Sequence, residues 1–151
     1  MTADHGREAV YAAEEAAFGG TSYDSLVEFD ELSWLRNALQ SSSWWAAGQI
    51  VVERARIDAV SSTTRQCDGG QAQIRIAQPQ CTPLTFAHEA AHLLAGVASG
   101  HGPVFRRAEI DVVVAMFGSE PGMWLADSFT EMGLEVAPRS WREPTVGPLQ
   151  R

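Results

Sequence analysis

The chain has little that could hold it together from outside. It has two cysteines in 151 residues, Cys67 and Cys81. Two cysteines do not make a disulfide framework or a four-cysteine zinc module, so two reduced thiols in the cytoplasm are expected. It has no hydrophobic run long enough to span a bilayer. The opening MTADHGREAV lacks the basic stretch and apolar run of a secretory leader. Basic residues are scarce, 11 against 19 acidic, for a net charge of −8. That argues against autonomous nucleic-acid binding, which needs a cationic footprint for phosphates. Arg106–Arg107 is the only adjacent basic pair, and two residues are not a patch. No repeat or domain boundary is visible.

What remains is a chain that is 45% hydrophobic and 20% charged, long enough to bury its own core. Five tryptophans are many for this length. Trp44 and Trp45 are adjacent, so on a regular element they point apart and one is expected at the surface. Residues 7–18 read as an alanine- and glutamate-rich helix ended by Gly19–Gly20. Residues 22–40 carry Leu26, Phe29, Leu32, Leu35 and Leu39 at helical spacing. Residues 49–65 read as one bent strand or two short ones. Asp68-Gly69-Gly70 is a turn, and 72–78 alternate as a strand. The sheet is expected to be mostly antiparallel.

Thr82 and Pro83 give an N-cap and a first-turn proline for a helix from Pro83 to Val97. Helices are expected over 103–117 and from Ser119, as cap, to Met132, with Gly133 as stop. A short strand is expected near Glu135–Val136. The resulting fold class is α+β: a single domain over residues 1–137 and a C-terminal tail, 138–151, with three prolines.

The helix beginning at Pro83 contains His88-Glu89-Ala90-Ala91-His92. Histidines four apart sit one turn apart on one helix face and can hold one metal ion. Glu89 lies about 100° round the helix, where it can act as a base toward water activated by that metal without ligating it. Phe86, Ala90, Leu93 and Val97 project away from this face and are expected in the core, with Leu94. Three of the four histidines fall within residues 88–101. His101, between Gly100 and Gly102, is the favoured third ligand, because the chain can turn back there. Glu109 is the rival. Three ligands would leave an open position, as in a catalytic zinc site. His5, near the terminus, is left without a role.

HEAAHLLAG followed by HGPVF resembles the SprT-like zinc metallopeptidases, marked by HExxH and a downstream His-Gly-x-x-Phe. The chain is more closely similar to small actinobacterial metallohydrolases that open with a V-Y-A-A-E segment, here Val10–Glu14. They close with a G-V/L-x-V segment, here Gly133–Val136. The resemblance implies a minimal zincin fold, Zn2+ on His88, His92 and His101, and Glu89 as general base. It implies Gly102 for the turn and Phe105 as an anchor. Ala90-Ala91 is less bulky than usual, and no separate DNA-binding zinc module follows, so action on DNA–protein crosslinks is not expected.

The function expected is a zinc-dependent hydrolase, foremost a metallopeptidase acting on a peptide or protein substrate. The alternative is a zinc-containing peptide-binding or regulatory protein without turnover. For the donor to a developing oxyanion the sequence offers Tyr11, Tyr23, Arg106 and Arg107 and does not choose among them.

Overall fold

The structure is a computed structural model that describes Asp4 and residues 6–145. His5 lies outside the described residues. The elements in chain order are α1 (Gly6–Phe18), α2 (Phe29–Ser41), β1 (Gln49–Arg54), β2 (Thr63–Gln66), β3 (Gln71–Ile76), α3 (Pro83–Ala95), α4 (Pro103–Phe117) and α5 (Ser119–Glu131), with short 3-10 turns between several of them. The class is α+β, as expected.

The sheet departs from expectation. Its order is β1-β3-β2, with β2–β3 antiparallel but β1–β3 parallel. The β2–β3 hairpin is a local event, closed by the Asp68-Gly69-Gly70 turn and by Cys67 N–H donating to the Gln71 carbonyl at 2.8 Å. The β1 pairing is nonlocal. Ile50 registers with Ala72 and Val52 with Ile74, which joins Ile50 to the buried face of β3 made by Ala72, Ile74 and Ile76. Burial of that apolar row decides the pairing, and no turn chemistry announces it.

Helix α3 packs against β2 and β3, and α4 packs on α3. Helix α5 lies on α4, and α1 on α5. Helix α4 is thus enclosed and buries residues nearly all round, including Arg106, Glu109 and Asp111.

Several local expectations are corrected. The expected helix over 22–40 begins only at Phe29, and Leu26 stays outside it at 68% exposure. Helix α3 ends at Ala95, so Val97 falls in the following turn and is 41% exposed rather than in the core. Trp44 and Trp45 are both buried. They lie in an irregular segment, where adjacent side chains need not oppose each other, and their Nε1–H groups donate to the Arg142 and Gly48 carbonyls. Gly118, not Ser119, is the N-cap of α5. Residues 134–137 are not a strand. Leu134 N–H closes α5 on the Phe129 carbonyl, and Ala137 N–H bonds to the Pro103 carbonyl.

Candidate metal centre

Helix α3 begins as the sequence implies. Thr82 Oγ1 accepts from Thr85 N–H at 3.0 Å, and Pro83 occupies the first turn, where no N–H is needed. The helix buries Phe86, Ala87, Ala90 and Leu93. That fixes its rotation and turns His88 and His92 toward the chain that returns after Gly96. Gly100, at φ 60 and ψ −140, makes that return in a conformation closed to other residues. His101 then comes back over α3 and is buried.

The ligand atoms of His88, His92 and His101 all lie within 4.8 Å of one another. His88 Nε2 and His101 Nε2 are 3.1 Å apart. Phe105 sits beneath the three rings, with centroids 4.9, 4.5 and 4.8 Å from those of His88, His92 and His101.

The far nitrogens explain what the near ones can do. His88 Nδ1 is 2.5 Å from Glu14 Oε2, and His101 Nδ1 is 2.6 Å from Asp4 Oδ2. An ionised carboxylate only accepts, so each Nδ1 carries a proton, and Nε2 is the nitrogen that presents a lone pair whenever the ring is neutral. Two lone pairs 3.1 Å apart repel unless a proton or a cation lies between them. A proton serves two nitrogens, whereas a metal ion can also use the third, on His92.

The donor set fits zinc. Tetrahedral bonds of about 2.0–2.1 Å put nitrogens roughly 3.3 Å apart, close to the 3.1 Å between His88 Nε2 and His101 Nε2. Burial, together with the charges of His88 and His101, pushes the His92 pKa down to about 3, so its lone pair is free at neutral pH. Burial alone would lower His88 as well, but Glu14 and Glu109 outweigh it and raise it well above the ordinary value.

Glu14, His88 and Glu109 form a second cluster of potential ligands within the same distance limit. Glu109 approaches His88 on the Nδ1 side, at 3.4 Å, and not the side shared with His101. Burial, and then the neighbouring Glu14, push its carboxyl well up. Glu14, which burial would raise, is held down by the His88 charge and by its hydrogen bond to His88.

Glu89 follows His88 on α3. Its Oε1 accepts from Thr64 Oγ1 of β2 at 2.7 Å. Glu89 and His88 line a polar cleft of about 240 Å3 whose other walls include Tyr11, Asp24, Ser62 and Gln80. A larger hollow of about 400 Å3, between Leu26, Phe29 and Ile57, holds none of the histidines.

Among the four oxyanion-donor candidates, Tyr11 lies against the imidazoles, its ring 5.6 Å from His88 and 6.0 Å from His101. Arg106 donates to the His101 and Glu135 carbonyls, and Arg107 to that of Ala137. Tyr23 packs among Phe18, Phe117 and Trp124.

Sequence reasoning missed Asp4, Glu14 and Thr64. For Glu14 a signal existed. It lies four residues after Val10 and four before Phe18, both fully buried, so it is a carboxylate on the apolar stripe of its helix. Glu109 carries the same signal on α4, between Phe105 and Val113. For Asp4 and Thr64 no local pattern exists.

Among the described residues no helix is long and apolar enough to cross a membrane. Comparison of the chain with protein-family models, with curated proteins and with solved structures returns no match.

Proposed function

We propose that the protein is a zinc-dependent hydrolase, foremost a metallopeptidase, that binds Zn2+ through His88 Nε2, His92 and His101 Nε2. The observation that carries this is the facing pair of Nε2 atoms 3.1 Å apart, each opposite a carboxylate-bonded Nδ1, with a third imidazole beside them. When bound, zinc supplies a Lewis acid that polarises a carbonyl and makes water acidic. The reading also draws on the resemblance of HEAAHLLAG and HGPVF to SprT-like metallopeptidases. The two free thiols suit a reducing compartment such as the cytoplasm.

The chain's own groups have separable tasks. Thr64 Oγ1 holds one oxygen of Glu89, a residue of the cleft wall. That carboxylate takes a proton from the attacking water and returns it to the departing amine. Tyr11, on the cleft wall beside the imidazoles, is the donor available to a developing oxyanion. Glu14 and Asp4 hold a proton at Nδ1 of His88 and His101, which leaves Nε2 as the nitrogen of each ring that can ligate.

The test compares zinc-loaded wild type with Glu89→Gln on a broad peptide library, with cleavage sites read by mass spectrometry and zinc content measured on both. The expected result is cleavage by wild type alone, with one zinc in each. Equal cleavage by both overturns Glu89 as base. Zinc in both without cleavage favours a binding protein that does not turn over.

A further inference from the structure

One short stretch at the start of the chain touches the histidine cluster at four points. Asp4 bonds to His101, 97 residues away, and Glu14 to His88, 74 residues away. Tyr11 lies against both rings. Gly6 comes so near the His101 backbone that a Cβ there would stand 2.5 Å from the carbonyl oxygen. The three imidazoles themselves all come from residues 88–101 and do not need this stretch to be present.

We propose that the segment from Asp4 to Glu14 is a positioning clamp for the histidine cluster, and that its docking is linked to divalent-cation binding at that cluster. This rests on the reading of the three histidines as zinc ligands.

An imidazole is a ligand at Nε2 only when its proton sits on Nδ1, and a carboxylate at Nδ1 fixes both that tautomer and the plane of the ring. The clamp supplies such a carboxylate to two of the three rings. Among the described residues the third ring, His92, makes no side-chain hydrogen bond, so its place comes from α3 and from packing on Phe105. Neither clamp carboxylate faces the space between the Nε2 atoms, so Asp4 and Glu14 act through the histidines. Linkage is reciprocal: whatever factor the docked clamp adds to zinc affinity, bound zinc adds to clamp docking. A helix that merely packed through Val10, Ala13 and Phe18 would stabilise the fold without answering to the metal.

The experiment uses the full chain with zinc as probe. It measures zinc affinity by chelator competition and backbone hydrogen exchange over residues 6–18 with and without zinc. Wild type is compared with Asp4→Ala, Glu14→Gln and, as control, Glu8→Gln at an exposed position on the same helix. The clamp requires that zinc slow exchange in α1 of wild type and of the control. Asp4→Ala and Glu14→Gln should each weaken zinc about 10–100-fold, and the zinc-dependent protection of α1 should shrink with the affinity. Asp4 is partly exposed, so its variant carries the test if Glu14→Gln does not fold. Unchanged affinity in both folded variants, or α1 exchange indifferent to zinc, overturns the clamp and leaves the metal site standing. Wild type that takes up no zinc overturns both.

Discussion

Two carboxylates stand two residues apart on α4, and both are buried: Glu109 at 0% exposure and Asp111 at 1%. Asp111 is fully engaged. Arg139 donates to both its oxygens, at 2.7 and 3.0 Å, and Trp141 Nε1–H adds a third bond at 2.8 Å. Glu109 meets the hydrogen-bond geometry with none of its neighbours, though it lies 3.4 Å from His88 Nδ1. An enclosed carboxylate with three donors ties the chain after α5 to the core. An enclosed carboxyl without a well-formed bond adds nothing comparable to stability. Its position beside Glu14 and His88 ties it to the histidine cluster instead. Depth of burial does not separate the two roles; the partners do.

The largest effect should come from the satisfied member. Asp111→Ala leaves the Arg139 fork and the Trp141 N–H without their acceptor and should cost about 3–5 kcal/mol in a urea titration. It should not change zinc affinity. A loss of zinc at unchanged stability would break the comparison. Arg139→Lys keeps the charge but loses the two-pronged geometry, and about 1–2 kcal/mol of loss is expected. Glu109→Met, similar in volume and without a charge, should fall within about 1 kcal/mol of wild type or be more stable. A cost as large as that of Asp111→Ala would mean Glu109 has a partner that stabilises the fold.

The pH dependence sharpens the same contrast. In zinc-free protein Glu109 is held well above its ordinary 4.5 by burial and then by Glu14. The unfolded chain gives up this proton at lower pH than the folded chain does. Its contribution is therefore complete below about 4.5 and is lost as pH rises through the folded value. His88, also raised, acts in the same direction above its ordinary 6.5. Urea midpoints of Glu109→Met measured in chelator should fall less steeply with pH than those of wild type. The smallest effect is on the metal: Glu109→Met should weaken zinc by less than about tenfold, because Glu14 still holds His88 Nδ1. His101→Ala should weaken it far more.

The legible parts of the sequence were those governed by short-range chemistry. Thr82-Pro83 set the start of α3, and the period of Phe86, Ala90 and Leu93 set which face it buries. Gly100 set the turn that returns His101. What could not be read depends on distant chain. The parallel β1–β3 pair, Asp4 on His101 and Thr64 on Glu89 carry no local signature. Val97 was misassigned because helical period extends past Ala95, where Gly96 ends the helix. Glu14 and Glu109 were visible as acids on apolar stripes, a conflict that only burial against a partner resolves.

Arg106 ties the histidine loop to the stretch of chain after α5. One guanidinium grips the carbonyl of His101 and the carbonyl of Glu135 together, while Ala137 N–H is fastened to Pro103. The stretch after α5 is therefore a brace for the turn that carries His101. A cut or an insertion between Gly133 and Ala137 touches no histidine. It would still remove the acceptor that holds Arg106 from the other side and let the 97–102 turn drift, so such a lesion would be felt first as a looser grip on the metal.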